Sequence, residues 1–128
     1  MVRILVIDDD QTVRNATKIM LDASGFEAVV ADSGKSGIEA IKNGSFDLVI
    51  VDLFMPDMNG LETTKALRQH NSSIPIIAVS GFMFGGQCPD MPNFGSMAAE
   101  VGATATLYKP FRPKELMQAV RTAMGQAA

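Results

Sequence analysis

The sequence predicts an α/β fold in which a five-stranded parallel sheet is covered by helices on both faces. Two observations carry this. Short runs such as Ile4–Ile7, Leu48–Val51 and Ile76–Val79 are apolar without interruption, the pattern of strands buried on both sides rather than one. Between these runs lie segments with apolar residues at helical spacing, so strand and helix alternate along the chain.

Taken in order, the first strand is Ile4-Leu5-Val6-Ile7, which stops at Asp8-Asp9-Asp10. Val13, Ala16 and Met20 then line one face of a helix that Gly25 ends. Ala28–Ala31 is a second strand; Ser33 caps a helix carrying Ile38 and Ile41, with Gly44 just past its end. Leu48–Val51 ends in Asp52, and Phe54–Gly60 is turn-rich before a helix from about Leu61 to His70. Ile76–Val79 ends in Ser80-Gly81. Residues 82–95 read as a long loop, with a helix around Met97–Val101 after it. Ala105–Tyr108 is the fifth strand, ending in Lys109-Pro110. Pro113 opens a last helix with Leu116, Met117, Val120, Ala123 and Met124 on one face, and the polar end from Gly125 is expected to fray.

Composition narrows the function. A chain of 128 residues fits one domain, 1–128, that buries about two-thirds of its surface without a disulfide or structural metal. The single cysteine, Cys88, permits no internal disulfide and suits a reducing cytoplasm. No apolar run approaches a membrane span, and no signal peptide precedes the first strand. A net charge of −3, from 11 basic and 14 acidic residues, argues against direct nucleic-acid binding.

The chemistry sits where the strands end. Asp8, Asp9, Asp52, Ser80 and Lys109 all follow the carboxyl ends of strands, and a parallel sheet brings those ends to one edge, where ligands of open α/β sheets bind. Clustered carboxylates repel one another, and a divalent cation with oxygen ligands relieves this; Mg²⁺ fits because it keeps waters and accepts phosphate oxygens. A carboxylate also serves as a nucleophile that carries a phosphoryl group. Lys109 and the Ser80 hydroxyl then suit the phosphoryl oxygens. Singly, each residue has an ordinary reading: Asp8–Asp10 as a solvated turn with a helix cap, Asp52 as a turn residue, Lys109 as a surface lysine. Only the joint pattern is specific.

On these residues the chain resembles a response-regulator receiver domain, the CheY-like phosphoacceptor of two-component signalling. The matching stretches are Ile4–Asp10, Leu48–Gly60, Ile76–Gly81 and Lys109-Pro110-Phe111, and the likeness covers essentially the whole chain. The resemblance implies strand order 2-1-3-4-5 in a doubly wound, flavodoxin-like three-layer sandwich. It implies that Asp52 is phosphorylated, that Asp8, Asp9, Asp52 and the Phe54 carbonyl hold Mg²⁺ or Mn²⁺, that Ser80 is the switch hydroxyl, and that Lys109, before a cis proline, contacts the phosphoryl group. The phosphoryl donor would be a sensor histidine kinase or a histidine phosphotransfer protein, and the receiver, though no conventional enzyme, would catalyse its own phosphorylation and dephosphorylation. A stand-alone receiver would signal by protein–protein contact through the face of the fourth helix, fifth strand and fifth helix, or by passing the group onward. The competing reading is a receiver-like interaction module that works without phosphate.

Two rivals fail on spacing. Gly34-Lys35-Ser36 lacks the first glycine of a phosphate loop, which would fall at Val29 inside a strand. A phosphatase of the haloacid dehalogenase type needs an acid two positions after its aspartate, where this chain has Phe54. Against the family, Thr106 stands where many members carry Tyr or Phe, three residues before Lys109, and Tyr108 is displaced along the strand as a substitute. The 28 residues between Ser80 and Lys109 exceed the usual number. The extra residues read as a mobile insertion or, from Phe82, Met83, Phe84, Met91, Phe94 and Met97, as a partner surface. Cys88 reads as an incidental thiol and His70 as a helix-end surface residue. Phe54 and Phe82 stand two positions after Asp52 and Ser80, positions that the resemblance implies influence phosphoryl lifetime, and two large apolar side chains there are expected to exclude an attacking water. The expected outcome is slow loss of the acyl phosphate, followed by intact mass, and faster loss in Phe54→Asn or Phe82→Glu; fast decay in the wild type, unchanged in both variants, contradicts it.

Overall fold

A computed structural model describes residues 2–54, 60–80, 98–100 and 102–125. In chain order these form β1 (Arg3–Ile7), α1 (Gln11–Ala23), β2 (Glu27–Ala31), α2 (Gly34–Asn43), β3 (Leu48–Asp52), α3 (Gly60–His70), β4 (Ile76–Ser80), β5 (Ala105–Tyr108) and a last helix (Pro113–Ala123). Residues 98–100 are helical, inside the helix expected around Met97–Val101. The 82–95 segment with Phe82 and Cys88, most of the turn before α3, and the last three residues lie outside the described residues.

The sheet is parallel throughout, in the order β2-β1-β3-β4-β5. Alternate side chains of a strand point to opposite faces, so an apolar strand between two helical layers feeds two cores. Leu5, Ile7, Val49, Val51, Ile76 and Ala78 pack with Ile41 of α2 and Leu67 of α3. Ile4, Val6, Ile50, Ile77, Val79 and Leu107 pack on the other side with Leu21 of α1 and Leu116 and Val120 of the last helix. All five residues of β3 and of β4 are buried. The edge strand β5 departs from the expected two-sided burial: Leu107 is buried, while Thr106 and Tyr108, on the opposite face, are exposed among the described residues.

Helix ends follow local chemistry. The Asp10 side chain accepts from the N–H groups of Thr12 and Val13 and caps α1, so the ordinary reading of the acidic run also holds for its third member. Ser33 caps α2 in a reciprocal box with Ser36. Gly25, at φ 89°, takes the left-handed turn after α1. Gly44 ends α2 in extended backbone, φ −151°, so its role there is not a left-handed cap. His70 is exposed at the end of α3, as expected.

Among the described residues, Gly60 has the tightest glycine position that bears on the site. A Cβ there would lie 2.1 Å from the carbonyl oxygen of Asp52 and 2.1 Å from Cα of Leu53. The Gly60 N–H donates to the Leu53 carbonyl at 3.0 Å. The start of α3 is thereby seated directly on the backbone where β3 ends, and only glycine permits that approach.

Candidate functional site

Strand parity brings the site together. The face that carries Ile4 and Val6 on β1, Ile50 on β3 and Leu107 on β5 continues, two residues on, to Asp8, Asp52 and Lys109. Val6 is the register partner of Ile50, so the two aspartates emerge side by side. Lys109 comes from the far side of β4. Two strand spacings separate β3 from β5, about 9–10 Å, and the long lysine stem crosses that gap.

The Lys109 ammonium donates to both carboxylates, at 2.7 Å from Asp8 Oδ2 and 2.8 Å from Asp52 Oδ2. The side chains of Asp8 and Asp52 are only 4% and 5% exposed, and that of Lys109 15%. Burial pushes the Asp8 carboxyl above its ordinary range, outweighing the hydrogen bonds from Lys109 and the Asp10 N–H that favour its charge. Burial also opposes the charge on Lys109, but its hydrogen bonds to Asp52 and Asp8 prevail and hold it above the ordinary lysine value. The remaining carboxylate positions are fixed from the backbone. Asp10 N–H donates to Asp8 Oδ1 at 2.9 Å and Phe54 N–H donates to Asp52 Oδ1 at 2.8 Å.

Asp9 is exposed, yet a carboxylate oxygen of Asp8, Asp9 and Asp52 can be chosen so that all three lie within 4.8 Å of one another. Three hard oxygen donors at that separation fit a divalent cation such as Mg²⁺, with room left for waters and a phosphate oxygen. One lysine against three carboxylates leaves the cluster net negative, which favours the same ligand.

The other expected residues fall around this cluster. Ser80 is buried at the end of β4 and its carbonyl accepts from the Lys109 N–H at 3.0 Å. Its parity is that of Ala78, so its side chain belongs to the opposite face of the sheet from Lys109. Tyr108 is the register partner of Ser80, and Thr106 that of Ala78. The tyrosine is thus beside the hydroxyl in register, and it is exposed. Phe54 follows β3, half-buried, with its ring packed against the core on the α2–α3 side. The Lys109-Pro110 bond is cis.

Two contributors escaped the sequence reading. Gly60 looked like a turn residue, and its close approach depends on a helix packing that no local pattern specifies. Arg14, one turn into α1, donates from Nη1 to the Asp8 carbonyl at 2.8 Å; its position four residues after the Asp10 cap was the available signal.

Residues 4–121 match the response regulator receiver domain family, and the chain belongs to that family. The DNA-binding response regulator MtrA of Mycolicibacterium paratuberculosis is 34% identical over 119 residues, 93% of this chain and 49% of that protein. The chain spans about half the length of the curated relatives it matches. Among solved structures, the chemotaxis protein CheY4 of Vibrio cholerae superposes with a TM-score of 0.84 at 28% identity, covering 96% of this chain and 98% of that one. The response regulator TrrA of Thermotoga maritima, in complex with Mg²⁺-BeF, gives 0.80 at 28% identity and covers 96% and 99%. The expected family, the CheY-like fold and the strand order are thus all found.

Removing the lysine leaves two buried carboxylates uncompensated, a change that costs about 3–5 kcal/mol for buried pairs. Lys109→Met in EDTA is therefore expected to lose about that much stability by urea denaturation. Mg²⁺ should raise its melting temperature more than it raises that of the wild type, because the competing ammonium is gone.

Proposed function

We propose that this chain, as one receiver domain spanning 1–128, accepts a phosphoryl group on Asp52 from a phosphohistidine of a sensor histidine kinase or a histidine phosphotransfer protein. The observation that carries the reading is the Lys109 ammonium held 2.8 Å from Asp52 and 2.7 Å from Asp8 beside a third carboxylate. Such an arrangement combines a nucleophile, a cation for a phosphoryl oxygen and a set of oxygen donors for a metal. TrrA, with its Mg²⁺-BeF complex, supports the same reading.

In this mechanism a carboxylate oxygen of Asp52 attacks phosphorus through a lone pair not used in its hydrogen bonds to Lys109 and the Phe54 N–H. The P–N bond to the donor imidazole breaks, its electron pair stays on nitrogen, and an acyl phosphate forms on Asp52. Asp8, Asp9, Asp52 and the Phe54 carbonyl would hold Mg²⁺ or Mn²⁺, which when bound would supply positive charge against the phosphoryl oxygens. Lys109 shifts its hydrogen bonding from the Asp52 carboxylate to a phosphoryl oxygen, which keeps the ammonium paired throughout. Ser80, whose side chain starts from the opposite face of the sheet, would move towards the phosphoryl group as the switch hydroxyl and donate to another oxygen. Attack of water on phosphorus breaks its bond to the Asp52 oxygen and returns the carboxylate and inorganic phosphate; Phe54, two positions after Asp52, is the residue proposed to slow that step.

Phosphorylation adds charge and acceptor oxygens where β3 ends, and the signal leaves through protein–protein contact or onward phosphoryl transfer in a cytoplasmic setting. The output face is β5 with the last helix and the helical residues before β5. It includes a groove of about 590 Å³ lined by Thr106, Tyr108, Lys114, Glu115, Gln118 and Thr122. The 82–95 segment, outside the described residues, is proposed from its Phe and Met content as a further part of the partner surface. Among the described residues no helix is long and apolar enough to cross a membrane. One observation favours the phosphate-independent module instead: Thr106, not an aromatic residue, stands at the usual coupling position.

The two readings separate on incubation with Mg²⁺ and a small phosphodonor, followed by intact mass. The expected result is one phosphoryl adduct on the wild type, none on Asp52→Asn and none in EDTA. Folded wild-type protein that acquires no adduct from either a small donor or a phosphorylated histidine phosphotransfer domain points to the phosphate-independent module.

A further inference from the structure

Asp9 poses a problem that Asp8 and Asp52 do not. It is exposed, yet its carboxylate belongs to the cluster. An exposed side chain does not hold a ligating position unless its backbone is fixed. The Asp8–Asp9 peptide is a rigid plane, so pinning the Asp8 carbonyl oxygen fixes the direction in which Asp9 Cα leaves β1. Arg14 supplies that pin.

The contacts form a closed set. Asp8 N–H donates to the Ala31 carbonyl of β2 at 3.1 Å. One carboxylate oxygen of Asp8 takes the Asp10 N–H and the other takes Lys109. The Asp8 carbonyl takes Arg14 Nη1 at 2.8 Å. Arg14 is itself placed by the first turn of α1, where its N–H donates to the Asp10 carbonyl at 2.9 Å. Half-burial limits its alternatives. The cap that starts α1 and the arginine one turn later thus hold both ends of the acidic turn.

We propose that Arg14 is a positioning residue for the divalent-cation site: by fixing the Asp8–Asp9 peptide it presents the Asp9 carboxylate to the ion. This rests on the proposed Mg²⁺ site. It opposes the simple charge argument. A guanidinium near a cation site repels the ion, so by charge alone its removal tightens binding. Positioning predicts the reverse, and partners that orient metal ligands typically affect affinity by about 10–100-fold.

The test is calorimetric titration of Mg²⁺ into the unphosphorylated chain, with thermal unfolding in EDTA as the check on folding. The expected result is an Arg14→Met dissociation constant about ten-fold above that of the wild type, falling below a two-fold effect when Asp9→Asn is also present. Arg14→Lys, which keeps the charge but not the planar donor, serves as the second variant and is expected to weaken binding too. Unchanged or tighter binding in folded Arg14→Met and Arg14→Lys overturns the proposal alone, as does equal weakening with and without Asp9. A wild-type chain that shows no saturable Mg²⁺ binding overturns the site reading together with it.

Discussion

A single ammonium group governs the site. Three carboxylates gathered at one sheet edge repel one another, and two of them are almost wholly buried. Without a cation, that arrangement is expensive. Lys109 meets the need by reaching both Asp8 and Asp52, and the charge balance it leaves is still negative. Enough attraction remains for a divalent ion, and enough positive charge is at hand for a phosphoryl oxygen. The geometry of the strands, the turn after β3 and the start of α1 all serve to keep these groups within reach of one another.

The topology makes that possible at small cost. Strand order 2-1-3-4-5 puts β1 and β3 side by side, so two short aspartates meet directly. It puts β4 between β3 and β5, so only a long side chain from β5 reaches Asp52. A lysine suits that span. Gly60 seats α3 against the backbone of Asp52 and Leu53, while Asp10 and Arg14 tie the start of α1 to Asp8. Helix ends on both sides of the sheet therefore bear on the same few atoms.

Most of this was legible in the sequence because strand ends leave a simple signature. Ile4–Ile7 before Asp8 and Leu48–Val51 before Asp52 are apolar runs stopped by acids, and parallel pairing turns such stops into one edge. The role of Lys109 was legible only in part: its residue type suggested a phosphoryl contact, but the simultaneous bridge to Asp8 and Asp52 depends on parity across three strands. Gly60 was hidden because its constraint is a backbone contact with residues seven and eight positions earlier. Gly44 looked like a helix stop by type, yet its backbone is extended. The one-sided exposure of β5 was masked by the short apolar alternation of Ala105–Tyr108, which fits a buried strand and an edge strand equally well.

The central claim is that the acidic edge is assembled around exchangeable positive charge, with Lys109 holding the carboxylates and Mg²⁺ joining them. Amide NMR of the metal-free chain during Mg²⁺ titration tests it most directly. The account predicts saturable shifts concentrated at Asp8–Asp10, Asp52–Phe54 and Lys109, with the β2 edge and the N-terminal ends of the strands unmoved. Shifts spread evenly over exposed acidic residues such as Asp22 and Glu39, without saturation at the strand ends, would contradict it.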